Sequence, residues 1–233
     1  MLVLSACAGR GDDPYAPFNR QMHAFNAGVD AKVVRPLTSP LKRGKAQGAP
    51  SADAAAAPSL MDGITNIGGN LSLPGKVVNH LLQGRPQPAA QNAGRFLVNS
   101  TLGLGGLMDP AGREFALTEV DTDFGETLHV WGVPEGAYLE LPILGPSSER
   151  DAAGRVVDWL IDPMDQWLPD DARVAARAVK IVAKVGKRAK YGDTVDSVLH
   201  DSADSYTQTK LLYQQHRRHE LGQEAEIIDP YSD

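Results

Sequence analysis

The chain has 233 residues, 42% of them hydrophobic and 22% charged, with a formal net charge of −6 at pH 7. That length allows one large domain or two small ones, and the acidic balance argues against general nucleic-acid binding. No uncharged apolar run approaches the roughly 20 residues of a transmembrane helix, so membrane attachment would need an acyl anchor, amphipathic surface, or both.

In chain order, the first informative residue is Cys7, the sole cysteine. It excludes an internal disulfide. Behind it stand Leu2, Val3 and Leu4, then small Ser5 and Ala6, and the step resembles a bacterial lipobox. In such a signal the leading segment is removed and the cysteine is acylated. Signals this short also occur by chance, in which case Cys7 is incidental to a disordered start. A secretory signal carries a basic region and about 7–15 apolar residues. Residues 1–6 therefore read as the remnant of a longer signal, and residues 7–13 as a tether.

Phe18, Met22, Phe25, Val29 and Val33 recur at steps of four, three, four and four, one face of an amphipathic helix. Asp13-Pro14 predicts its start and Pro36 its end. Asn19 and Asn26, seven apart, fall on another stripe, as hydrogen-bonding anchors or as part of a polar wall; the anchor reading is preferred. Residues 44–58 are low-complexity and read as a surface insertion. Between Asn66 and Pro74 the glycines and prolines predict no long element. Val77, Val78, Leu81 and Leu82 predict a short helix stopped by Gly84, and Pro86 or Pro88 opens another, carrying Phe96.

Thr127 to Leu144 reads as a hairpin of extended segments about the turn Val133-Pro134-Glu135-Gly136. Its second arm, Tyr138 to Leu144, is dense in apolar residues and must bury itself in the fold, in a partner or in lipid. Asp171 to Lys190 predicts a helix. Arg173, Arg177, Lys180, Lys184 and Lys187 form one stripe on it, and Val174, Ala178, Ile181, Val185 and Ala189 the neighbouring one. Such a helix either meets anionic head groups or packs with a solvated basic face. A last helix is predicted over Ser202 to Leu221, then an acidic tail over 222–233.

Chemistry-bearing patterns are sparse. The Leu102-to-Gly106 stretch lacks the third glycine of a dinucleotide loop, where Met108 stands, and reads as turn glycines. Asp121 and Asp123 read as a solvated loop. His129, His200, His216 and His219 have no partner at ligand spacing, and Ser147 and Ser148 stand in no nucleophile elbow. No catalytic or metal-binding set is expected, although triads assemble in space.

The blocks taken together resemble the MlaA outer-membrane lipoprotein family. They begin with Asp13-Pro14-Tyr15, Phe18-Asn19-Arg20, Phe25-Asn26 and Asp30. They continue through Asn66 and Asn70-Leu71, Asn79 to Gly84, Arg95-Phe96, Asn99, Gly105-Gly106, Asp109 and Asp123-Phe124-Gly125. Trp131-Gly132, Tyr138-Leu139, Leu141-Pro142, Gly145-Pro146, Asp204-Ser205-Tyr206 and Tyr213 complete the series. His23, Ile67 and Ser100 depart from the usual pattern. The resemblance implies a mainly α fold, one domain over 14–221, shaped as a ring of short amphipathic helices about a central polar channel. It implies retrograde phospholipid transport at the periplasmic side of the outer membrane, anchored through Cys7. It further implies a trimeric porin and a periplasmic lipid carrier as partners, with no cofactor and no bond cleavage. Tyr138, Leu139, Leu141, Pro142, Ile143 and Leu144 would contact lipid or gate the channel. The rival readings are a membrane-anchored lipid hydrolase and a purely structural envelope lipoprotein.

Overall fold

The structure is a computed structural model that describes residues 13–38, 60–190 and 192–223. Cys7, the 44–58 segment and the tail beyond 223 lie outside the described residues. The fold is mainly helical.

Helix α1 spans Ala16–Val29, two residues beyond the expected start, with proline in its first turn. Pro36 does not end it. Asp30–Val34 is a π-helical turn in which the Arg35 N–H bonds the Asp30 carbonyl, and residues 35–38 are again helical. A π turn carries one extra residue, and a proline with no N–H to give is accommodated at its exit.

The expectation of no long element between Asn66 and Pro74 also fails. Helix α2 runs unbroken over Leu60–Leu82 with Pro74 inside it. Two of its glycines, Gly63 and Gly68, serve packing. A Cβ on Gly68 would lie 2.4 Å from the Ala183 Cβ, so only glycine admits the neighbouring helix at that crossing. Tertiary contact thus overrides the low helix propensity of glycine and proline. Gly84, with φ of 71°, does end the helix, and the Arg85 N–H closes back on the His80 carbonyl at 2.8 Å.

Helix α3 spans Pro86–Thr101 as expected, followed by a turn in which Gly105 and Gly106 both adopt positive φ. Short α4, Pro110–Arg113, is capped by Asp109. The predicted first hairpin arm is instead helix α5, Phe124–Val130, because Asp123 caps it by accepting from the Glu126 N–H. The hairpin lies one segment later. Strand β1, Tyr138–Leu141, pairs antiparallel with β2, Gly145–Ser148, in the register Tyr138↔Ser148 to Leu141↔Gly145. Pro142 falls in the turn, where it removes no ladder bond.

Ser148 then caps α6, Glu149–Ile161, and Asp162 caps α7, Pro163–Trp167. Helix α8 spans Asp170–Lys190 and packs along α2, which also packs on α3. Helix α10, Ser205–Glu220, is the predicted last helix, and a short helix α9, Gly192–Leu199, which the sequence reading did not anticipate, precedes it.

The polarity of this arrangement is inverted. Among the described residues, the most deeply buried side chains are mainly polar or charged, including Asn19, Asn79, His80, Asn92, Thr127 and Glu140. Large apolar side chains point outwards: Phe18 and Phe25 on α1, Val156, Trp159 and Leu160 on α6, Val174 and Ile181 on α8. Each set repeats at helical spacing, so each is one stripe. On α8 part of the basic stripe is tied to neighbouring groups, Lys180 most deeply, while Lys184 stays exposed. Arg173 bonds the Leu168 carbonyl, Arg177 bonds Asp165 at 2.7 Å, and Lys180 bonds Asp162. A helix packed in water would instead turn large apolar side chains such as Val174 and Ile181 inwards. No helix among the described residues is long and apolar enough to cross a membrane.

Candidate functional site

The family-motif residues are largely structural clamps. Asn19 donates to Asp13 and to the Tyr138 carbonyl, both at 3.0 Å, and accepts from the Glu140 N–H at 2.9 Å. Two turns on, Asn26 donates to the Leu141 carbonyl at 2.9 Å and accepts from the Ile143 N–H at 2.7 Å. The two amides hold β1 and its turn against α1, as the anchor reading expects. On α3 the device recurs: Asn92 grips Val120 through both its N–H and its carbonyl, and Asn99 bonds Asp109 and the Ala111 N–H. Arg95 pairs with Asp109 at 2.7 Å, and Asn70 bonds Ser100 beside Gly106.

Asp13 also accepts from Lys210 and Tyr206, and Arg20 stacks over the Tyr206 ring at 4.5 Å. Pro14 and the side chains of Phe18 and Phe25 are exposed, and Phe96 and Leu139 are half-buried. Phe124 is buried edge-on to Trp131. Gly125 is pressed against α6 so closely that a Cβ would meet Asp151 Oδ1 at 2.6 Å.

The hairpin is split in character. Tyr138 and Glu140 face the interior, where the Tyr138 hydroxyl donates to Glu140. Burial and that carboxylate push the tyrosine pKa far up. Leu141 is half-buried, while Pro142, Ile143 and Leu144 project from the tip, Ile143 with 77% of its surface exposed. Ile143 also adopts φ of 66°, a costly conformation for a β-branched residue.

A cleft of about 420 Å³ opens between α2 and α8, within the range of about 300–1,000 Å³ that holds small ligands. One wall is nearly bare: Gly68, Gly69, Ser72 and Gly75 of α2 line it, and a Cβ on Gly69 or Gly75 would touch nothing within 4 Å. Polar groups complete it. Lys76 pairs with Asp121 at 2.6 Å and with Glu119, and these carboxylates hold its pKa up against burial. Asp158 on α6 accepts from Asn79 at 2.7 Å and from the Phe124 N–H at 3.0 Å. Asp162, Lys180 and Lys184 lie opposite, with Trp159 and Ile181 also lining the cleft.

Sequence reasoning anticipated the Asn19 and Asn26 anchors but neither the Asn92 clamp nor this cleft. The signal available was the run Gly68, Gly69, Ser72, Gly75, one face of a helix without side chains; read as helix-breaking, it hid a wall.

The candidate chemical groups disperse. Asp121 pairs with Lys76, whereas Asp123 caps α5 and pairs with Arg217. Ser147 and Ser148 are buried in β2. His129 is partly buried, and burial together with the Arg150 charge lowers its pKa. His216 pairs with Glu220. Two clusters were not anticipated. Asp30, Asp196 and His200 bring ligand-type atoms within 4.8 Å of one another, with His200 at 3.0 Å from Asp30 and Arg35 at 3.8 Å from Asp196. His23 Nε2 lies 3.0 Å from the Ser205 hydroxyl, and its Nδ1 lies 3.6 Å from Glu140. That is the order of a serine–histidine–acid relay. However, His23 and Glu140 are only 4% and 2% exposed, and the second distance is too long for a hydrogen bond.

Comparison with known proteins agrees with the motif blocks. The profile of the MlaA lipoprotein family matches residues 11–220. The intermembrane phospholipid transport system lipoprotein MlaA of Escherichia coli (strain K12) is 32% identical over 229 residues, 94% of this chain and 84% of that protein. The Haemophilus influenzae protein of the same name is 30% identical, covering 92% of this chain and 84% of its own. A solved structure reported under the words "Structural basis for maintenance of bacterial outer membrane lipid asymmetry" superposes with a TM-score of 0.70 at 30% identity, covering 90% of this chain and 99% of that one. The chain belongs to the MlaA lipoprotein family.

Proposed function

We propose that this protein sits at the periplasmic side of the outer membrane, anchored through Cys7, and passes phospholipids from the outer leaflet to a periplasmic carrier. The observation that carries this reading is the inverted polarity: apolar stripes outside, a polar cleft within. A lipid tail can stay in hydrocarbon, but a head group needs a polar path, because burying an ion without partners costs many kcal/mol. The glycine-walled cleft is that path, the helices form a ring around it, and the hairpin tip seats in lipid beside it. A trimeric porin is the expected neighbour in the membrane. No bond is broken, so no cofactor or metal is needed.

The hydrolase reading has one observation in its favour, the Ser205–His23–Glu140 alignment. Its base and acid are sealed in the interior, and Glu140 already serves Tyr138 and Asn26. We assign the cluster to fixing α10 and β1 on α1. The test is transfer of labelled phospholipid from donor vesicles holding the acylated protein to a soluble lipid acceptor, with products resolved by mass spectrometry. Transfer of intact lipid, unchanged in Ser205→Ala, is expected. Lysophospholipid that disappears in Ser205→Ala would sink the transport reading and restore the hydrolase.

A further inference from the structure

Resting on the reading of the cleft as a head-group path, we infer that it carries a subsite at Asp158 that selects lipids with an ammonium-bearing head group over those whose only charge is the phosphate. The lining holds four carboxylates, Glu119, Asp121, Asp158 and Asp162, against three lysines, Lys76, Lys180 and Lys184. Two of these cations are committed inside the protein: Lys76 to Glu119 and Asp121, Lys180 to Asp162. Asp158 is placed differently. It accepts only neutral donors, the Asn79 amide and the Phe124 N–H, and among the described residues no cation stands within ion-pair distance of it. Burial first, and then the neighbouring charges of Asp123 and Asp162, raise its pKa. A half-buried carboxylate short of positive charge gains most from a cation that arrives with the ligand. A zwitterionic head group brings that ammonium beside its phosphate, so its entry leaves the local charge unchanged. An anionic head group adds a negative charge to a lining already acidic by one.

The experiment incubates the full acylated chain with vesicles of equal phosphatidylethanolamine and phosphatidylglycerol, then measures the lipid retained on the purified protein and the lipid transferred. The wild type should retain phosphatidylethanolamine over phosphatidylglycerol at least threefold. Asp158→Asn should bring that ratio towards one while Asp158→Glu keeps it. If Asp158→Asn melts early, the wild-type ratio and its competition by soluble phosphoethanolamine against glycerol 3-phosphate decide the matter alone. Equal retention of the two lipids, or a preference untouched by Asp158→Asn, overturns the inference and leaves the transport reading standing. Failure to retain or move either lipid overturns both.

Discussion

At the scale of single residues, stability rests on side-chain amides and buried ion pairs where a soluble protein would use aliphatic packing. Asn26 serves both the Leu141 carbonyl and the Ile143 N–H, which leucine cannot do. Asn26→Leu should cost about 1–3 kcal/mol, the penalty for leaving such groups unpaired, and thermal melting will show it. The same variant should free the hairpin tip, seen as faster amide exchange confined to residues 138–148. Arg217, buried among Asp123, Asp151 and Glu220, keeps its charge against burial because those carboxylates surround it. Asp13, Asp109 and Asp151 are each pushed up by burial but pulled further down by their hydrogen-bond and cationic partners, to a net pKa below the ordinary 3.8. Their folded values are therefore depressed. The stability they contribute is complete above the unfolded value and lost as pH falls through the folded ones. Asp158, whose value is raised, acts with the opposite sign. Melting temperature should fall as pH drops below about 4, the unfolded carboxylate range, and Asp151→Asn should flatten that fall. A melting temperature that rises on acidification would contradict these assignments.

At the scale of elements, legibility followed the physics. Helices announced by apolar periodicity and proline starts, α1, α3 and α8, were readable within a few residues. Helix α2 was not, because its stability comes from the α8 surface laid against Gly68, which no local window contains. The orientation of α8 was equally hidden. Sequence shows two stripes, but only the fold brings Asp165 to Arg177 and Asp162 to Lys180 and so ties part of the basic one down. The apolar arm was noticed for the right composition and given the wrong partner strand, since Asp123 capping made α5 a helix. Its tip holds a testable strain. Ile143→Gly should stabilise the detergent-solubilised fold by roughly 1 kcal/mol by relieving the left-handed conformation. It should also weaken seating in vesicles by removing an exposed apolar anchor, measured by flotation. Weaker melting together with unchanged flotation would show that the tip packs in the fold.

At the scale of the whole molecule, the inverted polarity sets outward apolar stripes around a polar cleft. Outward leucines, tryptophans and valines need hydrocarbon or a partner surface. Inward amides and ion pairs are the surroundings that the proposed head-group path requires. The motif blocks carried the family and its mainly α class, whereas the cleft emerged only from assembly, because its wall is made by what glycine lacks. That makes it testable without touching a charged group. A side chain at Gly75 meets no neighbour, so Gly75→Leu fills the cleft while improving helix propensity by nearly 1 kcal/mol. The decisive measurement is phospholipid transfer by reconstituted Gly75→Leu protein, with its melting temperature taken in parallel. A melting temperature equal to or above that of the wild type, with transfer reduced at least tenfold, is the predicted result; full transfer through a well-folded Gly75→Leu protein would contradict the assignment of this cleft as the head-group path.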